Sequence, residues 1–300
     1  MSLNLNLEKN LVNIAECLET DAKELDFILP GFVAGTVACL AAAGSTGKSY
    51  ATMEIAIGIC SNDADKKLLN MGIHKEGKVA IFNAEDPHDV IHARLRSMSV
   101  HLDQKMREKM AANLKIYSIT GMQPDIMNPD WQNEIIRIGT GKRLLAIETF
   151  SRFHRLDENS NGQMSQVIGV LEMIAKVTGA AVLFVHHTAK SAALNGDQDK
   201  QQSSRGASTI VDNCRWQGYM QTMSEDEAKK LSVPLDDRKM YVQIGGNKEN
   251  YGSPTIAKWL KRGEGGVLLP ANIKSLNKPD IKLVASDKPS KKEVKNESNY

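Results

Sequence analysis

Three hundred residues, 41% hydrophobic and 25% charged, carry enough apolar material for one large core or two modest ones, which excludes disorder as the dominant state. The formal charge of +2 comes from residues 271–300, where seven Lys face four acids; the first 270 residues hold 31 basic and 32 acidic side chains. A near-neutral body excludes a broad basic face as a platform for nucleic acid.

Four cysteines, Cys17, Cys39, Cys60 and Cys214, show no CxxC pair and no zinc spacing, as expected of reduced thiols. The first residues lack the basic region of a signal peptide, and no apolar run approaches the roughly 20 residues of a membrane span. A cytoplasmic protein without membrane contact is therefore expected.

In chain order, a leader over residues 1–24 has room for one short amphipathic helix around Leu11 to Leu18. Continuous apolar runs then mark strands covered on both faces: Thr36–Ala42, Lys78–Phe82, Arg143–Ile147, Ala180–Val185 and Lys239–Ile244. Helical patterns fall between them at Ser49–Ser61, Asp86–Ser97, Asp130–Ile138 and Gln166–Thr178. This alternation predicts an α/β domain over 25–270, with a mostly parallel central sheet flanked by helices. Residues 271–300 are Lys/Ser/Asn-rich and aperiodic, as in a disordered tail.

Ala42-Ala43-Gly44-Ser45-Thr46-Gly47-Lys48-Ser49 follows a predicted strand and opens a predicted helix. Backbone N–H groups of Ala43, Gly44, Ser45, Thr46 and Gly47 at a positive helix end suit a phosphate chain. Lys48 is placed for the β- and γ-phosphates of ATP, and Ser49 for Mg²⁺. Ala42 stands where the usual GxxxxGK[ST] pattern has its first Gly, which relaxes the motif without breaking it.

The strand ending in Asn83-Ala84-Glu85-Asp86 puts a carboxylate beside that loop, so Glu85 is a candidate base for the attacking water. The alternative is that Glu85 and Asp86 only favour the amino end of a helix dipole, a role that suits Asp86. Arg143-Leu-Leu-Ala-Ile-Glu148 has the strand-then-acid form of a Mg²⁺-holding segment, with Glu148 in place of the usual Asp. The strand Ala180–Val185 leads into His186-His187, and a polar group at its tip is placed to touch the γ-phosphate; a neutral hydrogen-bonding His is the plainer reading. Two polar loops follow, and their cations Arg152, Arg155, Lys190, Lys200 and Arg205 are candidates for phosphates of single-stranded DNA, against a solvated surface as the alternative.

The order of these motifs, together with Arg152-Phe153-His154, Ser204-Arg205-Gly206, Asn213-Cys214-Arg215-Trp216-Gln217 and Asn247-Lys248, resembles the RepA-type hexameric replicative helicases of IncQ-like plasmids. These belong to the RecA-fold ATPases of helicase superfamily 4, and the resemblance runs from about Leu25 to about Pro270. It implies a RecA-like core, with Glu85 as catalytic glutamate and His187 as γ-phosphate sensor. It further implies that Arg215 is an arginine finger acting on the neighbouring subunit and that Lys248 assists it. In related bacterial helicases a second finger lies two residues after that lysine, where this chain has Asn250. The implied cofactors are ATP and Mg²⁺. The implied partners are single-stranded DNA at a replication fork, five further copies of the chain in a hexamer, and plasmid initiator and primase proteins. A RecA-like recombinase or mediator, and a weakly hydrolysing regulatory or scaffold ATPase, are the rival readings.

Overall fold

The computed structural model describes residues 7–188, 210, 213–252, 257–271 and 273. The expected tail lies almost wholly outside the described residues. The leader forms a 3-10 turn and a short helix α1 (Ile14–Glu19) with no buried residue. A small hairpin, β1 (Phe27–Leu29) and β2 (Phe32–Val33), then leads into β3 (Val37–Ala42), α2 (Lys48–Cys60) and the short α3 (Asn62–Asp65). The chain continues through β4 (Val79–Asn83), α4 (His88–Ser99), α5 (Gln104–Asn113), β5 (Leu114–Ser118), α6 (Pro129–Gly139), β6 (Leu144–Glu148), α7 (Asn161–Thr178) and β7 (Ala181–His187). After residues outside the description come β8 (Trp216–Thr222), α8 (Glu225–Lys230), β9 (Tyr241–Glu249), β10 (Lys258–Arg262) and β11 (Leu268–Pro270).

Among the described residues, nine strands form one sheet in the order β11-β10-β9-β8-β3-β7-β6-β4-β5. The six from β8 to β5 run parallel, and β9, β10 and β11 extend the sheet antiparallel. All residues of β3, β4 and β6 are buried, because helices cover both faces. One face packs against α2, α4 and α5 through residues such as Leu40, Ile57 and Met98. The other packs against α6 and α7 through Ile135, Leu171 and Phe184. The two cores share the sheet between them, giving the three-layer arrangement expected of alternating strands and helices.

Local chemistry sets the helix ends. Asn128 caps α6 through its side-chain oxygen, which accepts from the Asp130 N–H, and Pro129 follows at the first helical position. Ser160 caps α7, and Gly179, at φ 71°, ends it in the left-handed region. The hairpin β1–β2 is fastened by the Arg143 guanidinium, which donates to both Asp26 carboxylate oxygens at 2.8 Å and to the Phe27 carbonyl at 2.6 Å. Trp216 stacks on Phe32 at 5.7 Å and donates its indole N–H to the Pro30 carbonyl, closing the same corner.

The five continuous apolar runs all became strands, with ends shifted by one or two residues except in β9, which extends to Glu249. The helix expected around Leu11 to Leu18 is shorter and begins at Ile14. The elements α5, β5, β8, β10 and β11 were not legible from the pattern. Helix α5 buries only Met106, and β8 alternates buried and half-exposed residues, so neither has a continuous apolar run. No helix among the described residues is long and apolar enough to cross a membrane.

Candidate active site

Register brings the chemistry to one edge of the sheet. Ala42 at the end of β3 pairs with His187 of β7, and Asn83 at the end of β4 pairs with Glu148 of β6. The carboxyl ends of these four neighbouring strands form the crevice where open parallel sheets place ligands. A cavity of about 270 Å³ opens there.

The loop from β3 to α2 forms one wall. Positive φ falls on Ser45 (63°) and Gly47 (99°), while Ala42 is ordinary strand. This explains why alanine is tolerated at the motif's first glycine position: no left-handed backbone is required there. At Gly47 the requirement is strict, since a Cβ would also come within 3.0 Å of the Arg262 guanidinium. Gly47 caps α2 without a side-chain bond, which leaves the first N–H groups of the helix available to an anion. The buried Lys48 ammonium donates to the carbonyls of Ala42 at 2.9 Å and Ala43 at 2.7 Å. Burial lowers its pKa to about 8, against the opposing pull of Glu85 and Glu148.

Opposite Lys48 stand the carboxylates. Glu148 is 1% exposed, and its Oε1 has no hydrogen-bond partner among the described residues. Burial raises its pKa to about 7; the Ser49 hydroxyl and Arg94 pull it down, and Asp86 and Glu85 push it up. A buried orphan carboxylate oxygen beside a serine hydroxyl, both on the cavity, is an oxygen donor set that fits a hard divalent cation such as Mg²⁺. Glu85 reaches the cavity with its side chain one-third exposed, and its Oε1 lies 3.9 Å from Arg152 Nε. Asp86 stands directly before Pro87, the cap of α4, and its carboxylate also holds the Arg94 guanidinium and accepts from Asn83 Nδ2 at 3.1 Å, contacts that its sequence position did not reveal.

His187 lines the cavity, and burial followed by the nearby Lys48 charge lowers its pKa against the opposing pull of Glu85. His186 points the other way, into the core, edge-on to Phe150 at 6.3 Å, with its pKa brought down to about 4 chiefly by burial. Three lining residues had no signal in the sequence motifs: Tyr50, Arg94 and Arg262. Arg94 sits over the Tyr50 ring at 5.5 Å. Arg262 comes from β10, more than 200 residues after the loop it touches, so local spacing could not reveal it.

The other candidates lie elsewhere. Arg215 is exposed, and its backbone N–H donates to the carbonyl of Val37 at the amino end of β3. Five residue steps of strand lead from Val37 to Ala42, a span of about 17 Å, so Arg215 is at the opposite edge of the sheet from this subunit's cavity. Lys248 in β9 pairs in register with Gln217, which places it beside Arg215 at that far edge. Arg152 and Arg155 are exposed on the loop after β6, and Arg155 donates to the His154 carbonyl at 3.3 Å. Lys190, Lys200 and Arg205 lie outside the described residues.

Comparison with known proteins agrees with this architecture. Residues 7–193 match the AAA domain family. The chain superposes on a solved ATPase domain with a TM-score of 0.55 and 14% identity, over 89% of this chain and 99% of that one. It also matches the crystal structure of the RadB recombinase at a TM-score of 0.48 and 11% identity, over 79% and 91% of the two chains. The mostly parallel sheet with its phosphate loop at the carboxyl edge is a RecA-like P-loop fold, and the chain belongs to the AAA domain family of ATP-hydrolysing proteins.

Proposed function

We propose that the chain is one subunit of a ring-shaped DNA helicase that moves on single-stranded DNA and unwinds duplex during plasmid replication. The observation that carries this reading is the position of Arg215. A cation at the far edge of the sheet has no work in its own subunit's cavity, but in a closed ring it reaches the next subunit's nucleotide. Each ATP then sits between two protomers, and Lys248 beside Arg215 assists from the same edge.

Within the cavity the Lys48 ammonium exchanges its two carbonyl acceptors for the β- and γ-phosphates. Ser49 and Glu148 would hold Mg²⁺, which neutralises charge on those phosphates when bound. Glu85 accepts a proton from the attacking water as its oxygen bonds to the γ-phosphorus and the bond to the β–γ bridging oxygen breaks. His187 stands next to this centre and begins the segment leading to Lys190, Lys200 and Arg205, which in this reading grip DNA along with Arg152 and Arg155. A near-neutral body then meets DNA through a few loop cations repeated around a channel. Strand displacement on a forked duplex tests the reading: unwinding with ATP and none with a non-hydrolysable analogue is expected. Hydrolysis without displacement on any fork polarity would leave a RecA-fold ATPase of another kind.

A further inference from the structure

The antiparallel wing of the sheet does more than extend it. Its last hairpin, β10–β11, is stitched to α2 and to the loop before it at three places. The Leu268 N–H donates to the buried Glu54 carboxylate at 2.8 Å, and the Tyr50 hydroxyl donates to the Gly265 carbonyl. From the end of β10, Arg262 Nη2 donates to the carbonyls of Ser45 at 3.0 Å and Thr46 at 2.7 Å. These bonds hold a guanidinium inside the phosphate cavity, on the same wall as Lys48.

An arginine has five N–H donors in a fixed fork and keeps its charge at any pH a protein survives. The loop carbonyls occupy Nη2. Among the described residues, neither Nη1 nor Nε meets an acceptor, and Nη1 lies 3.0 Å from where a Gly47 Cβ would stand. The free side of the fork thus borders the glycine that opens the helix N-terminus.

We propose that Arg262 contacts the polyphosphate of bound nucleotide and supplies a second cation from the same subunit, while its other amino group fixes the loop. This rests on the ATP reading of the cavity and adds a ligand contact from a part of the chain that carries no nucleotide motif. The loop carbonyls of Ser45 and Thr46 hold the fork in place before nucleotide arrives, so little side-chain freedom remains to be lost on binding.

The test is the affinity of the full-length chain for MgATP, MgADP and AMP, with Arg262→Gln, Arg262→Lys and Lys48→Ala beside it. Gln keeps an amide donor for the loop carbonyls and removes the charge. Arg262→Gln is expected to weaken ATP by about tenfold to a hundredfold, the range of one charge-assisted hydrogen bond, with less loss for ADP and least for AMP. Arg262→Lys is expected to retain the order ATP over ADP over AMP. A loop-holding role alone predicts that Arg262→Lys, which lacks the fork that spans the Ser45 and Thr46 carbonyls, loses as much ATP affinity as Arg262→Gln, whereas a phosphate contact predicts that the retained charge keeps most of it. If Arg262→Gln binds like the unaltered chain while Lys48→Ala is weakened, or loses all three nucleotides equally, the Arg262 contact is wrong and the ATP site stands. If the unaltered chain binds no nucleotide, the ATP reading itself falls. Should Arg262→Gln not fold, Arg262→Lys decides alone, since binding all three nucleotides alike would overturn the proposal.

Discussion

Glu85 Oε1 lies 3.9 Å from Arg152 Nε, which joins the carboxylate at the end of β4 to the loop that follows β6. One partner is the candidate base for water, and the other is a candidate contact to DNA. Arg152 is largely exposed, Glu85 is one-third exposed and the gap is long, so the pair is worth little as a stability element. Its position matters more, because a cation at this distance competes with water for the carboxylate, and a DNA phosphate competes for the cation. Arg152→Gln is expected to raise ATP turnover without DNA, by up to about fivefold for a pair of at most about 1 kcal/mol, and to shrink the stimulation by single-stranded DNA. Turnover with and without an oligonucleotide checks this; an unchanged stimulation ratio would remove the coupling.

The Lys48 ammonium is bonded to Ala42 at one end of β3 and the Arg215 backbone to Val37 at the other, two strand positions about 17 Å apart. Lys48→Ala is expected to abolish ATP turnover, and an unchanged rate would sink the site assignment. Mixing Arg215→Ala with Lys48→Ala chains is expected to restore part of the activity, because some interfaces then combine an intact loop with an intact arginine. Failure to recover activity across a range of mixing ratios, in mixed rings shown to form, would place Arg215 outside the reaction.

Glu148 illustrates a conflict between stability and chemistry. Its carboxyl is fully buried with one oxygen unpartnered, a cost to folding that the proposed role as a Mg²⁺ ligand would account for. Glu148→Gln is expected to raise the unfolding temperature in metal-free buffer, by about 1 kcal/mol of stability, and to lower ATP turnover by about a hundredfold. Thermal unfolding and a Mg²⁺ titration of turnover check the two halves separately. A variant that lost stability and kept its Mg²⁺ dependence would contradict both.

The bond between Asp26 and Arg143 ties the leading hairpin to the start of β6. The Arg143 guanidinium, with Lys75 adding to it, holds the Asp26 pKa below its ordinary value despite partial burial. A depressed carboxylate contributes stability that is fully present above its unfolded pKa of about 3.9 and disappears as pH falls through the folded value. Asp26→Asn is therefore expected to be less stable than the unaltered chain at pH 7, with the difference closing below about pH 4. Because the carboxyl is partly exposed, solvent screening keeps the effect small. Denaturant unfolding at pH 7 and pH 3 measures it; a gap that persists at acid pH would assign the loss to packing.

Much of the site can be read in the chain because the chemistry is local. A loop between a buried strand and a helix fixes Lys48 and Ser49 within a few residues, and strands covered on both faces need continuous apolar runs whatever surrounds them. The acids at the ends of β4 and β6 follow the same logic, since a parallel sheet brings carboxyl ends together. Asp86 shows the limit: beside a helix start it reads as a dipole acid, and only its contact with Arg94 reveals an ion pair.

What the sequence determined by itself was the phosphate loop, the parallel core and the set of charged residues available to the site, all properties of spacing along a few tens of residues. The tertiary structure decided which of those charges meet. Arg94 and Arg262 enter the cavity while Arg215 and Lys248 are carried to the opposite edge of the sheet. The physical reason is that strand register and an antiparallel wing more than 200 residues downstream set these distances, and side-chain periodicity records which face a residue takes but not which strand becomes its neighbour.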